Sequence, residues 1–278
     1  MKFSPAQLKG RIKILAQKNH ADARILIRIY MMERFLERLA VSRYKDKFII
    51  KGGILVTSLI GVSLRSTMDI DASIKNYNLS ESDIRKAIKE ICMINLQDDV
   101  TFQLKQFSRI MDEMEYPGIR ITLDAFLGKM LVPMKLDIST GDVITPREVE
   151  YQYTLLLEDR SITLWSYNLE TLLAEKLQTI LTRGLLNTRM RDFYDLYELT
   201  TIYSDKIDLP TLKSAFQKTC AKRGTINLLQ QGPEIIQMIS TNTGLENLWQ
   251  NYQKKYPYAA GISYVSIVQL LQKLWDAL

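Results

Sequence analysis

The stretch KGGILVTSLIGVSLRSTMDID, residues 51–71, decides the fold of this 278-residue chain. Two glycines, Gly52 and Gly53, follow the apolar run 48–50 and precede a helical pattern at residues 54–60. Asp69 and Asp71 close the stretch within MDIDASI, which predicts a second strand. A strand, a glycine pair, a helix and an acidic strand in this order predict an α/β unit.

The two aspartates indicate a site for a divalent cation. Residues two apart in a strand point to the same side, so Asp69 and Asp71 share one face of MDIDASI. Neighbouring carboxylates repel unless one is protonated or a cation bridges them, and Mg²⁺ prefers carboxylate and phosphate oxygens. We expect a third carboxylate from a neighbouring strand, with Asp137 favoured over Asp124. Because D-x-D is a common sequence, two solvated strand residues are the alternative.

The glycine pair indicates a phosphate-binding corner. Glycines between a strand and a helix let backbone N–H groups at the helix start approach a phosphate closely. A tight strand–helix corner is the structural alternative, and both can hold at once. We assign nucleotide binding to Gly52 and Gly53, together with Arg65 and Thr67 between the corner and the aspartates.

The scarcity of histidine and cysteine excludes several kinds of chemistry. The chain has one histidine, His20, and two cysteines, Cys92 and Cys220, far apart in sequence. Nucleophilic sites of the Ser-His-Asp or Cys-His type need a histidine base, and zinc sites need histidines or clustered cysteines. We expect two reduced thiols, and any chemistry must rest on carboxylates, lysines and a hard metal ion.

The positive charge is concentrated near the N-terminus. Residues 1–50 carry 12 Lys and Arg against 4 Asp and Glu, a balance of +8 in a chain of net charge +6. This excess favours a polyanionic partner, with a solvated helix face as the alternative. Residues 22–43 predict one amphipathic helix whose apolar side is Leu26, Ile29, Tyr30, Phe35, Leu36 and Leu39. Its basic remainder is Arg24, Arg28, Arg34 and Arg38.

The remaining pattern predicts two domains. Alternating residues in 100–138 and a hairpin within residues 153–167 predict more strands, and from residue 168 the pattern is mostly helical. We place an α/β domain at residues 1–165 and a helical domain at 166–278, with the active site in the cleft between them. Neither a membrane-spanning run nor a signal-peptide pattern is found, so we expect a cytoplasmic protein.

A second candidate cluster lies in the helical half. On a helical wheel Lys176 falls inside the apolar stripe of its helix. In the next helix Asp192 falls among apolar residues, whereas Asp195 lies on the margin. A lysine on a buried face is unusual. Three interpretations are possible for Lys176. Its aliphatic chain extends to place the ammonium group in solvent, or it forms a buried ion pair with Asp192, or Asp192 orients it to contact a triphosphate.

Together these motifs resemble the AbiEii family of bacterial toxins, which is related to the MenT-type toxins within the nucleotidyltransferase superfamily of DNA polymerase beta. The first family motif resembles residues 49–74, the second resembles MKLDIST around Asp137, and the third resembles Lys176 followed by RDFYDLYEL at 191–199. In the wider superfamily a serine follows the first glycine, whereas Gly53 and Ile54 follow Gly52 here. The spacing from the glycines to Asp69 is also longer than in the superfamily.

The resemblance implies a nucleotidyltransferase core and a type IV toxin–antitoxin system that acts in abortive infection and phage defence. It implies an NTP co-substrate, two Mg²⁺ ions on Asp69, Asp71 and Asp137, and a catalytic role for Lys176 and Asp192. The partners implied are RNA, in MenT-type members the 3′ end of tRNA, and a DNA-binding antitoxin that need not contact the toxin. Transfer to a small molecule or a protein side chain is one alternative. Non-catalytic binding of nucleotide or RNA is the other.

Overall fold

The computed structural model describes residues 2–65, 67–75, 80–110 and 118–278. The chain divides into two compact units. Unit 1 comprises residues 1–142 and 149–166, and unit 2 comprises residues 143–148 and 167–278. The boundary was expected between residues 165 and 166, and the chain passes from unit 1 to unit 2 for the last time between residues 166 and 167. The short segment 143–148 also belongs to unit 2.

Within the described part of unit 1, seven strands form one mixed sheet. Its order is β3-β4-β5-β2-β1-β7-β6, with β2 and β5 parallel and β1 and β2 antiparallel. The strands are β1 (Phe48–Lys51), β2 (Asp69–Ile74), β3 (Val100–Ile110), β4 (Gly118–Leu127), β5 (Met130–Thr140), β6 (Val149–Thr154) and β7 (Ser161–Ser166). The helices are α1 (Pro5–Asn19), α2 (Ala23–Val41), α3 (Gly52–Ile60) and α4 (Glu81–Met93). This is the α/β architecture that the sequence predicted.

The central strands carry a buried face and a polar face. In β5, Met134, Leu136 and Ile138 are buried, and they alternate with the more exposed Lys135 and Asp137. Alternation of this kind is what a sheet with one covered face requires. The polar face of β2 and β5 therefore collects the candidate metal ligands.

Helix α2 confirms the predicted apolar side but corrects its basic side. The six apolar residues predicted for the core are buried. Arg34 and Arg38, which the wheel placed on the basic remainder, are each only 1% exposed. Arg38 donates to both carboxylate oxygens of Asp98, and Arg34 donates to Glu158 at 2.8 Å. These two arginines are therefore structural ion-pair residues and are not available to bind RNA.

Unit 2 is helical in its described residues. Its helices are α5 (Leu169–Arg183), α6 (Met190–Ile202), α7 (Leu209–Lys222), α8 (Leu228–Ser240), α9 (Thr243–Lys255) and α10 (Tyr264–Asp276). Helix α5 packs against α6, α7 and α8, so its apolar residues are enclosed on several sides. In the described ranges no helix combines the length and the apolar character needed to cross a bilayer. Cys92 and Cys220 are free thiols, as predicted.

Candidate active site

The glycine corner, Gly52–Gly53, is built tightly around Asp71. Gly52 begins α3 with a φ of +57°, a left-handed conformation that glycine adopts without strain. A Cβ placed on Gly52 would lie 2.7 Å from the Asp71 Cγ, so a side chain there would displace the carboxylate. The backbone N–H of Gly53 donates to Asp71 Oδ2 at 2.9 Å. The corner thus fixes the position of one predicted metal ligand.

Arg65 and Thr67 lie against the other side of this corner. A Cβ on Gly53 would lie 2.7 Å from Thr67 Oγ1 and 3.4 Å from an Arg65 guanidinium nitrogen. Both side chains are buried, and Thr67 Oγ1 donates to the Asp69 carbonyl at 3.2 Å. The second glycine therefore allows the helix start to approach the segment that leads into β2. Nucleotide binding by Arg65 and Thr67 stays a prediction.

Asp69, Asp71 and Asp137 lie on the same face of adjacent strands. In the parallel β2–β5 pair Asp71 is in register with Asp137, and Asp69 is in register with Lys135. Burial raises the pKa of Asp71, although the Gly53 N–H and the charge of Lys51 act in the opposite direction. Burial also raises the pKa of Asp69, against the nearby charges of Lys135, Arg120 and Arg28. Burial disfavours the charged form of both carboxylates, so either protonation or a bound cation would stabilise them.

The structure treats the two candidates for the third carboxylate differently. Asp137 lies beside Asp71, whereas Asp124 is paired in register with Pro133, four positions along β5 from Asp137. Asp124 lies 3.5 Å from Lys105. The position of Asp137 supports the earlier preference for it. Whether it binds a metal remains a prediction.

The three aspartates fit Mg²⁺ in chemistry but only in part in geometry. Carboxylate oxygens are the hard ligands that Mg²⁺ prefers. Nevertheless, across the described ranges no three acidic, histidine or cysteine side chains lie close enough together to hold a metal ion. Arg120 donates to both oxygens of Asp137, at 2.9 and 2.8 Å. Asp69 and Asp71 are therefore the better-placed ligands, and Asp137 faces an arginine.

Lys51 is a buried cation at this site that the sequence did not reveal. It ends β1 directly opposite Asp71, and its Nζ lies 2.7 Å from Asp142 Oδ2. Ser139 also donates to Asp142. Burial acts to raise the pKa of Asp142, but Lys51 and the hydroxyl donors hold that pKa well below its usual range. The wheel and strand patterns gave no signal for Lys51, because its partner lies 91 residues away.

In unit 2 the structure buries Lys176, as predicted, and gives it two carboxylate partners. Lys176 Nζ lies 3.1 Å from Asp192 Oδ1 and 2.6 Å from Asp195 Oδ2. Asp195 is completely buried, so its placement on the margin of α6 was wrong. Arg189 lies 2.7 Å from the other oxygen of Asp192. The cluster is thus an ion network within unit 2, and its catalytic role is still a prediction.

These features can be compared with known proteins. A family profile described as nucleotidyl transferase AbiEii toxin, type IV TA system, matches residues 34–272, which is most of the chain. The chain belongs to the AbiEii toxin family. The predicted resemblance is thereby confirmed, and this AbiEii protein is a nucleotidyltransferase toxin of a type IV toxin–antitoxin system.

The fold of this AbiEii protein can be compared with solved structures. The nucleotidyltransferase toxin MenT4 from Mycobacterium tuberculosis is similar with a TM-score of 0.51 and 12% identity, over 96% of this chain and 97% of that chain. JHP933 from Helicobacter pylori has a TM-score of 0.49 and 17% identity, over 91% of this chain and 92% of that chain. No curated protein sequence matches the chain. At this identity MenT4 supports the fold alone.

Proposed function

We propose that this AbiEii toxin transfers a nucleoside monophosphate from an NTP to RNA, at the 3′ end of tRNA, and thereby blocks translation. The observation that carries the proposal is the corner that fixes Asp71. Gly53 N–H holds the carboxylate from one side, and the Asp69 and Asp137 side chains share its sheet face. In a nucleotidyltransferase family this arrangement fits the metal-binding face of a phosphoryl-transfer site.

Asp69, Asp71 and Asp137 would hold Mg²⁺, with Asp137 freed from Arg120. A metal ion held by these residues would neutralise charge on the transferring phosphate and its leaving group. One of these carboxylates accepts the proton of the attacking 3′-hydroxyl, whose oxygen bonds to the α-phosphorus of the NTP as pyrophosphate leaves. The glycine corner, Arg65, Thr67 and Lys176 are proposed to position the triphosphate, since fixed donors and cations stabilise the charge that develops during transfer. These roles extend the established family activity to named residues.

The biological setting follows from the proposed substrate. Since tRNA and NTPs are cytoplasmic, we place the reaction in the cytoplasm. Modified tRNA ends would not accept amino acids, and this block of translation is the route by which we propose that the toxin acts in phage defence. The proposed antitoxin is a DNA-binding repressor that need not contact the toxin.

The test is direct transfer of label. The purified protein is incubated with total bacterial tRNA, MgCl₂ and each of the four α-labelled NTPs, and RNA is separated from protein on a denaturing gel. We expect label on RNA with at least one NTP and none after chelation. Asp71→Ala should lower the rate by about 10²–10³-fold, the usual effect of removing one major electrostatic group from such a site.

The control is Asp159→Ala, which removes a carboxylate from the β6–β7 turn of the same unit. It should transfer label at the wild-type rate. Full activity in a folded Asp71→Ala protein would contradict the metal assignment. Label on protein in place of RNA would contradict the proposed acceptor.

A further inference from the structure

Arg120 forms an ion pair with Asp137, which is a predicted metal ligand. Its Nε and Nη2 donate to Oδ1 and Oδ2 of Asp137, and the two residues are opposite each other in the antiparallel β4–β5 pair. Two parallel N–H···O bonds are a strong and directional contact between arginine and carboxylate. A cation that binds Asp137 competes with the charge of Arg120 for this carboxylate and can displace the guanidinium group. The guanidinium group then becomes available to another anion.

The sheet order places Arg120 on the side away from the glycine corner. From the corner at β1, the order runs through β2 with Asp69 and Asp71, then β5 with Asp137, then β4 with Arg120. Strands are spaced by roughly 4.8 Å, so three spacings separate the β1 backbone from that of β4 by about 14 Å. If the corner holds the triphosphate, the region around Arg120 is available to the acceptor.

A second cation and a polar surface accompany Arg120. Lys135, which is exposed, lies in register with Asp69 on β2 and with Thr122 on β4. Thr122 is in turn in register with the exposed Gln106 of β3. The Arg120 side chain is itself 30% exposed. Cations and hydrogen-bonding side chains on an accessible face fit the phosphodiester backbone of a nucleic acid.

We propose that Arg120 and Lys135 bind the last phosphodiester of the acceptor strand, next to the attacking 3′-hydroxyl. Arg120 leaves Asp137 for this phosphate when a divalent cation binds the aspartates. The inference rests on the proposed transfer to RNA. It specifies the acceptor as a polynucleotide end, because a neutral small molecule has no phosphate for these cations.

The first measurement is cation binding without turnover. Mn²⁺ is titrated into the purified protein and free Mn²⁺ is followed by electron paramagnetic resonance. Arg120→Gln should bind Mn²⁺ about threefold to tenfold more tightly than wild type, because the competing ion pair is gone. The control is Arg109→Gln, which removes one positive charge from the neighbouring β3 and should leave Mn²⁺ affinity unchanged.

The second measurement is acceptor binding. With tRNA as acceptor, Arg120→Gln should raise the KM for RNA by about tenfold or more, as expected for a lost charge-assisted contact. The KM for the NTP should not change, since the corner is untouched. Lys135→Gln, an exposed substitution that preserves the fold, should raise the RNA KM in the same way. Tighter Mn²⁺ binding with weaker RNA binding is a combination that general destabilisation does not produce.

The third measurement identifies the phosphate. A synthetic oligoribonucleotide ending in CCA is made with either a normal or a methylphosphonate last linkage, which lacks the charge. The neutral linkage should raise the KM for the oligonucleotide in the wild type and in Arg109→Gln. In Arg120→Gln the same linkage should change this KM little. The inference would be overturned if the effects of the neutral linkage and of Arg120→Gln on the KM were additive. It would also be overturned if Arg120→Gln left both the Mn²⁺ affinity and the KM for RNA unchanged. In either case, transfer of label by the wild type would still support the proposed function. If wild type labels no RNA, the proposed function fails and the inference fails with it.

Discussion

Lys51 in unit 1 and Lys176 in unit 2 are both buried, 7% and 8% exposed, but their surroundings differ. The partners of Lys176 come from one neighbouring helix, 16 and 19 residues along the chain. Lys51 is at the end of a strand, and Asp142 is 91 residues away. Lys176 contacts two carboxylates, Asp192 and Asp195. Lys51 contacts the carboxylate of Asp142 at 2.7 Å, and Ser139 also donates a hydrogen bond to that carboxylate.

This difference in partners predicts how much stability the protein loses when each buried lysine is removed. In unit 2 two carboxylates share one ammonium group, so removal of Lys176 takes a contact from both. Asp192 keeps Arg189 at 2.7 Å, whereas Asp195 is the completely buried member of the pair. In unit 1 the Asp142 carboxylate keeps a hydroxyl donor when Lys51 is removed. Breaking a buried ion pair from one side is costly because the remaining charge stays desolvated. The cost should therefore be larger at Lys176 than at Lys51.

Lys176→Met should have the largest effect on stability. We expect the free energy of unfolding to fall by about 3–5 kcal/mol, the range for a buried charge left without its partner. Adding Asp195→Asn should recover part of the loss, since one of the two carboxylates is neutralised. Urea unfolding of the single and double variants measures both effects.

The control for this experiment is Lys213→Met, which changes an exposed lysine of α7 in the same unit. It should leave the unfolding curve nearly unchanged. Nucleotide titration on the folded variants separates the two roles of Lys176. If it binds the triphosphate, Lys176→Met should weaken NTP binding by about 1.5–3 kcal/mol. Unchanged affinity would leave Lys176 as a structural ion-pair residue.

The two lysines also show what the sequence could and could not predict. Periodicity identified Lys176 because a lysine within an apolar helical stripe breaks a local pattern. Asp195 was misplaced, since a wheel describes one helix and does not show where its neighbours lie. Strand alternation gave the shared face of Asp69 and Asp71 for the same local reason.

Contacts between distant segments escaped prediction. The Arg38–Asp98 pair joins residues 60 apart, and Arg120 meets Asp137 only through the register of β4 and β5. The predicted basic side of α2 was therefore wrong at Arg34 and Arg38, because both arginines form ion pairs with buried carboxylates. Strand register and long-range ion pairs need the folded arrangement.

Lys51→Met should have a smaller effect than Lys176→Met. We expect a loss of about 3 kcal/mol, at the lower end of the range for buried pairs, because Ser139 still donates to Asp142. The double variant Lys51→Met/Asp142→Asn should regain stability relative to Lys51→Met, giving a coupling free energy for the pair. Lys9→Met, an exposed substitution in α1, is the matched control. A larger loss at Lys51 than at Lys176 would reverse the comparison.

Glu33 extends the comparison to a buried carboxylate with a different balance of neighbours. It is 2% exposed, and its Oε1 accepts a hydrogen bond from the Leu156 N–H at 2.9 Å. Burial raises its pKa to about 8, although the charge of Arg34 and the Leu156 N–H act to lower it. The nearby carboxylates, Glu158 and Glu37, act in the same direction as burial. Asp142, held by Lys51, is shifted the opposite way.

Per pH unit, the smallest effect we predict is the pH dependence that Glu33 contributes. Its pKa rises from 4.5 in the unfolded chain to about 8 in the folded state, so the folded state holds a proton that the unfolded state has lost. The stabilising contribution is complete below pH 4.5 and declines as the pH rises to 8, by about 1.4 kcal/mol per pH unit. Glu33→Gln keeps the acceptor for Leu156 and cannot ionise, so its unfolding free energy should change less steeply across this window.

Asp142 does not interfere, because its depressed pKa affects stability only below its unfolded value of 3.8. Urea unfolding at pH 5, 6, 7 and 8 compares the two slopes. Equal slopes would mean that Glu33 is ionised in the folded protein at neutral pH, with Arg34 compensating its charge as Lys51 compensates that of Asp142.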